Sequence, residues 1–264
     1  MAADLPPFNT SYAYQSTASP NSQWSYGKKI GDTPTGKAWT EGDKEGWKVV
    51  DTASEDKLKV YQLMISGIVP RPIAFVSTIS ETGVENLATF RKVSHHPPVV
   101  SISCSNNGPR GLKDTPANIK ATKGFTVNII SEPFIEGANS TAIDAPEDVS
   151  EWPISGLTKE KSVHVKPARV KESAFSMECE LFQVIDITDP VSGAQTTTLI
   201  LGLVKYIHVR KDVLNERGNV DPGKLKPVSR LGDISYARVG DGFRLARPGW
   251  ANEQENIRKA VENT

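Results

Sequence analysis

The chain has 264 residues, 38% of them hydrophobic and 23% charged, enough apolar material for a sizeable core in one large domain or two small ones. Lys and Arg number 31 and so do Asp and Glu, so the formal net charge is zero and the bulk field favours neither nucleic acid nor a membrane surface as partner. Two distant cysteines (Cys104 and Cys179), no basic-then-apolar leader and no long apolar run predict a cytoplasmic protein with reduced thiols and no disulfide framework, secretory signal or transmembrane helix.

Residues 1–50 are rich in Pro, Ser, Thr, Gly and Asn, with scattered rings at Phe8, Tyr12, Tyr14, Trp24, Tyr26, Trp39 and Trp47 and no helical or strand period. A wholly disordered tail carries fewer aromatics, so this segment reads as an extended N-terminal arm that lays its rings on the body of the protein or on a partner subunit. Residues 51–240 are the expected main domain and 241–264 a C-terminal tail. Ile68–Ser80 is β-branched and apolar, Thr82-Gly83 supplies turn chemistry, and VENLATF restarts a strand; together they predict a hairpin. Pro98–Ser105 alternates Val100, Ile102 and Cys104 on one face, a third strand.

KDTPANIKATKGF is the clearest helix, with Thr115 placed as N-cap, Pro116 at the first helical position and Gly124 after Lys120 and Lys123. FTVNIIS returns to strand, and a short helix follows with Phe134, Ile135 and Ala138 on one face. A polar, Pro-containing stretch from Asp144 to Pro167 leads to two long strands, Ala174–Ile187 and Thr197–Arg210, joined by turns at Asp189-Pro190 and Ser192-Gly193. Met177, Cys179, Leu181 and Gln183 are assigned one face of the first. RLGDISYARVGDGFRLARP reads as loop and Asn252–Asn263 as a short polar helix. Six or seven strands joined mostly by short turns do not have the β-α rhythm of a parallel sheet. They predict a mainly antiparallel β-barrel with helical insertions.

Several chemistries fall away. GDTPTGKA imitates a nucleotide P-loop but has Ala38 where a metal-binding hydroxyl belongs and no apolar strand before it. Adjacent His95 and His96 point opposite ways if extended, no H-x-x-x-H spacing occurs, and His208 reads as a structural histidine, so no metal is expected. There is no G-x-S-x-G elbow, Cys104 sits mid-strand as inert core, and KPARVK reads as a lysine-protected strand edge. The start of the KDTPANIKATKGF helix remains. Free backbone N–H groups, the Lys113 charge and the Thr115 hydroxyl would together attract an anion such as phosphate; a well-capped helix beside a lysine is the plainer reading.

Three segments in order, VPRPIAFVST, LKDTPANIKATKGFTVNII and RLGDISYARVG, resemble the flavin reductase-like family with the FMN-binding split-barrel fold, over about Tyr61 to Val239. The Trp-containing arm outside that span suits a fungal-type member. The resemblance implies a mainly β, six-stranded antiparallel split barrel with helical insertions that forms a homodimer and binds FMN, or FAD, in a groove between subunits. It implies NAD(P)H as co-substrate and a small-molecule substrate. Carried over by motif, Arg71, Ser77 and Thr78 belong to the cofactor-binding set, with Lys113, Asp114 and Thr115 at the phosphate end. Asn86, Lys92, Val93 and Ser94 line the isoalloxazine side, and Tyr236 lies in a loop that approaches the cofactor.

NLATFRKVSHHPP then reads as the cofactor wall, although Arg91 and Lys92 stand where many relatives carry small hydroxyl residues. Because the cofactor carries the redox chemistry, no catalytic side chain is named. Two rival readings follow. One is a flavin-free split barrel whose basic groove binds or rearranges a small metabolite; the other is a flavin carrier without a substrate of its own.

Overall fold

In the computed structural model the described residues are 6–11, 13–90, 93–95, 97–106, 111–143, 145–146, 148–232 and 234–262; for 34, 89–90 and 93–95 only the backbone is described. They divide into two compact units, residues 62–239, and residues 1–61 together with 240–264.

The larger unit is built on seven strands: β1 Ala74–Ile79, β2 Glu85–Phe90, β3 Val93–His95, β4 Pro98–Ser105, β5 Gly124–Ile129, β6 Phe175–Thr188 and β7 Gln195–Val209. Their order is β2-β1-β5-β6-β7-β4-β3, antiparallel at every pairing. Six form the body and the three-residue β3 lines an edge. β2 also touches β4, so the sheet curls towards closure. The expected mainly β, six-stranded antiparallel architecture with inserted helices is what the chain adopts.

Strand alternation makes the interior. Ala74 and Val76 of β1, Val100, Ile102 and Cys104 of β4, Phe125 and Val127 of β5, and Ile200 of β7 meet as one buried cluster. Ile119 of helix α1 (Asp114–Thr122) joins it. Burial pushes the Cys104 thiol up to about 12 and raises that of Cys179 as well, so both are inert core. A second core lies on the other face of β1, where Phe75, Leu87 and Val170 meet Phe134, Ala138 and Trp152. Those last three come from a 3-10 turn ending at Phe134, helix α2 (Ile135–Ser140) and helix α3 (Trp152–Ser155).

Four local expectations need correction. Thr115 is not the N-cap. The helix begins two residues earlier than expected, at Asp114, Lys113 holds the extended cap conformation, and the Thr115 hydroxyl is drawn to a buried acceptor instead. Gly124 does not end that helix in the left-handed region; Lys123 does (φ 63°), which frees Gly124 to open β5. Gln183 leaves the face that Met177, Cys179 and Leu181 share, because the β6–β7 register shifts between Leu181 and Gln183. The segment from Arg230 is not all loop: Val228–Arg230 (β8) pairs on one side with Tyr236–Arg238 (β9) and on the other with Arg71–Pro72, making a small antiparallel sheet.

The smaller unit is not extended throughout. Thr33 caps a helix at Pro34–Thr40, accepting from the Gly36 N–H at 3.0 Å with Pro34 in the first turn. The GDTPTGK run is therefore helix-start chemistry. Ser16–Thr17 pairs in parallel with Gly242–Phe243, and Trp250–Glu262 is a helix. Among the described residues, no helix is long and apolar enough to cross a membrane.

Candidate functional site

The start of α1 is held by a buried polar network. The Thr115 hydroxyl donates to Asn86 Oδ1 at 2.7 Å and the Thr78 hydroxyl donates to the same oxygen at 3.3 Å. Asn118 Nδ2 donates to Thr78 Oγ1 at 3.1 Å. The wiring follows from placement. Thr78 and Asn86 are directly opposed across β1 and β2, and Thr115 and Asn118 are three apart on one helix face. All four side chains are buried. Lys113 and Asp114 sit half-buried at the helix start, and the Lys113 charge reaches Cys104 in the barrel.

On its other side the Asn86 amide meets Glu151, the residue that precedes α3. Asn86 Nδ2 is 3.3 Å from both carboxyl oxygens, and the Leu87 N–H donates to Oε2 at 3.2 Å. Glu151 is only 4% exposed. Burial raises its proton affinity, the hydrogen bonds partly oppose that, and the nearby Asp114 charge adds to the rise.

Sequence reasoning missed both Glu151 and Asn118. Glu151 had a signal, since EWPISG puts Pro153 in the first turn and Gly156 just past the last, in the left-handed region (φ 65°). Asn118 had a weaker one, a poor helix former in mid-helix on the face of Thr115.

The expected site residues fall into separate groups. Thr78, Asn86 and Thr115 touch each other, with Lys113 and Asp114 at the same helix start. Ser77 is opposed to Leu87 and Thr126 on the other face of β1, buried, with its hydroxyl unpartnered. Arg71 and Tyr236 lie in the small sheet. The Arg71 guanidinium bonds the Leu231 carbonyl, while its buried Nε has no partner among the described residues. Tyr236 packs on the second core, donates to Asn139 Oδ1 at 2.7 Å and carries the Arg230 guanidinium 4.5 Å from its ring centre. Val93 and Ser94 contribute backbone to β3, where they pair with Val100 and Val99. Arg91 and Lys92 lie outside the described residues.

An antiparallel sheet curled around an apolar interior, with a helix start pinned beside its first hairpin, defines a split barrel. The sequence model described as "Flavin reductase like domain" matches residues 66–227, and the chain belongs to that family. An uncharacterized protein of Aquifex aeolicus is 38% identical over 183 residues, 68% of this chain and 90% of its own. The crystal structure of nitrilotriacetate monooxygenase component B from Bacillus cereus superposes with a TM-score of 0.72 at 29% identity, over 76% of this chain and 99% of that one. Pseudomonas fluorescens 2-nitrobenzoate 2-nitroreductase NbaA shares the fold, with a TM-score of 0.67 at 24% identity over 76% of this chain and 96% of its own.

Proposed function

We propose that this protein is a flavin-binding oxidoreductase that takes FMN, or FAD, with its phosphate at the start of α1, and uses NAD(P)H to reduce the flavin or a bound small molecule. The observation that carries the reading is the Lys113 helix start, pinned by Asn86, in a chain of the flavin reductase-like family. The residues fit such a group at two places. A nine-residue helix offers its first turn and Lys113 to an anion, and the buried Nε of Arg71, without a partner among the described residues, can take an acceptor.

Flavin, when bound, supplies the hydride chemistry. The chain's part is to hold and orient it. Lys113 and the first-turn backbone hold the phosphate. Thr78 and Thr115 spend their hydroxyl protons on Asn86, so they fix the helix start and leave direct phosphate contact to others. The strand edge at Val93 and Ser94 offers backbone groups to a ring system.

A homodimer is part of this reading. On the outward face of β6 and β7, Ile185 (40% exposed) and Leu199 are opposed, flanked by Ile187, Leu201 and Leu203, with the small Ser101 and Ser103 beside them on β4. Such a largely apolar face, with Gln183 opposite Leu201, suits a second copy related by two-fold symmetry. Two buried free cysteines suit a reducing, cytoplasmic setting.

The test is an absorbance spectrum after incubation with FMN and desalting, followed by anaerobic NADH or NADPH. Lys113→Ala should lose about 1.5–3 kcal/mol of FMN binding, the loss of one charge-assisted contact. A parent protein that returns all FMN to the filtrate, or undiminished binding by the variant, would sink the phosphate assignment. The same spectrum separates the flavin-free alternative, a split barrel whose basic groove binds or rearranges a small metabolite.

A further inference from the structure

We propose that Glu151 is a positioning residue for this site: an anion held at the start of α1 brings a proton to Glu151, and that proton turns the Asn86 amide over. The inference rests on the reading of that helix start as the flavin phosphate site.

The geometry dictates the first state. An ionised carboxylate has only acceptors, so Asn86 must present Nδ2 to Glu151 and Oδ1 to the threonines. Both threonine hydroxyl protons then point inward at Oδ1. The carboxylate is poorly held for a buried charge. Its contacts to Asn86 and Leu87 are long, at 3.2–3.3 Å, and among the described residues no cation pairs with it.

The charged groups around Glu151 are few. Asp114 faces it from α1, with Lys113 one residue earlier. Glu85 of β2 is paired with Lys159, whose ammonium lies 5.6 Å from the Trp152 ring centre. Asp114 works against ionisation, and an anion bound at the same helix start adds to it.

The second state follows from the same inventory. A neutral Glu151 has an O–H to donate, and it still accepts from the Leu87 N–H. Asn86, rotated by half a turn, takes that proton on Oδ1 and donates from Nδ2 to the Thr115 and Thr78 oxygens. The two hydroxyl protons are released from their inward bonds. Proton binding at Glu151 is thereby coupled to the contact that ties α1 to β2, and by linkage anion binding and proton uptake strengthen each other.

The decisive experiment is calorimetric titration of the whole protein with FMN in two buffers of different ionisation enthalpy, for the parent and for Glu151→Gln. Protons due to the phosphate of free FMN are subtracted. The parent should take up more protons per FMN than the variant, by up to about one, and its FMN affinity should fall more steeply with rising pH. The Asn86 side-chain amide resonances should move with pH in the parent and stay still in the variant. Equal proton uptake in parent and variant overturns the coupling. Should Glu151→Gln fail to fold, the parent decides alone: uptake fully accounted for by FMN overturns it. pH-difference infrared spectroscopy of the ligand-free protein should show a buried protonated-carboxyl band. FMN that gives no binding heat with the parent overturns the functional reading, and the coupling with it, whether or not that band is seen.

Discussion

Buried Glu178 and half-buried His208 pair across the two long strands, with Oε1 2.6 Å from the imidazole Nε2. The carboxylate is fully buried and also collects three successive backbone N–H groups, from Val163 at 2.9 Å, His164 at 2.7 Å and Val165 at 3.0 Å. Burial alone would raise its proton affinity. The three N–H bonds and His208 outweigh that and hold it below the usual carboxylate range.

Glu178 therefore makes stability depend on acid. Its folded-state value is depressed, so its contribution is complete above the unfolded value of about 4.5 and is lost as pH falls through the folded value. Glu178→Gln turns one acceptor into a donor aimed at donors, costing about 1–3 kcal/mol at pH 7. Urea unfolding at pH 7 and in acid should show the gap between parent and variant closing as pH drops. A constant gap would refute the assignment.

Gly202 is a packing requirement. A Cβ there would sit 2.2 Å from Phe125 Cζ and 3.3 Å from Cys179 Cβ, inside the barrel. Gly202→Ala should cost about 1–3 kcal/mol by overpacking. Adding Phe125→Leu should recover part of the loss, giving a non-additive double mutant. Strict additivity in thermal unfolding would mean that the ring is not the obstacle.

Asn86→Asp would set a second carboxylate about 3.3 Å from Glu151. Two buried like charges raise each other's proton affinity. With folded values raised, stability is retained below the unfolded values and falls as pH climbs through the folded ones. The deficit, about 3 kcal/mol at pH 8, should shrink towards pH 5. Denaturation at both pH values tests the sign.

Leu201→Asp tests the proposed two-fold contact. The parent should sediment as a dimer, and the variant as a monomer that retains its far-ultraviolet circular dichroism. An unchanged sedimentation coefficient would move the interface elsewhere.

The barrel was legible because its strands obey period two. Val100, Ile102 and Cys104 announce an inward face that the barrel buries, and Gly83 and Gly193 mark the hairpin turns with positive φ. The candidate site was legible only in part. Thr78, Asn86 and Thr115 could be grouped by resemblance, but nothing local says that their hydroxyls are spent on one amide oxygen. That depends on Glu151, some 65 residues from Asn86, delivered by a single turn of helix. Thr115 was read as a cap because capping is a local rule, whereas its real acceptor lies on another element. The bulges of β6 and β7 were invisible for the same reason: a register shift is a property of two strands, and one strand's alternation cannot report it.

The pairing of Ser16–Thr17 with Gly242–Phe243 ties the beginning of the polypeptide to its end, and a side chain at 242 would collide with Tyr14. The two strands are made more than two hundred residues apart. At the roughly 5–20 residues per second of a working ribosome, the earlier strand waits on the order of ten seconds or more for its partner. Residues 62–239 emerge entirely within that interval. The smaller unit can therefore close only after every strand of the barrel has been synthesised, so barrel formation has a head start built into the order of translation.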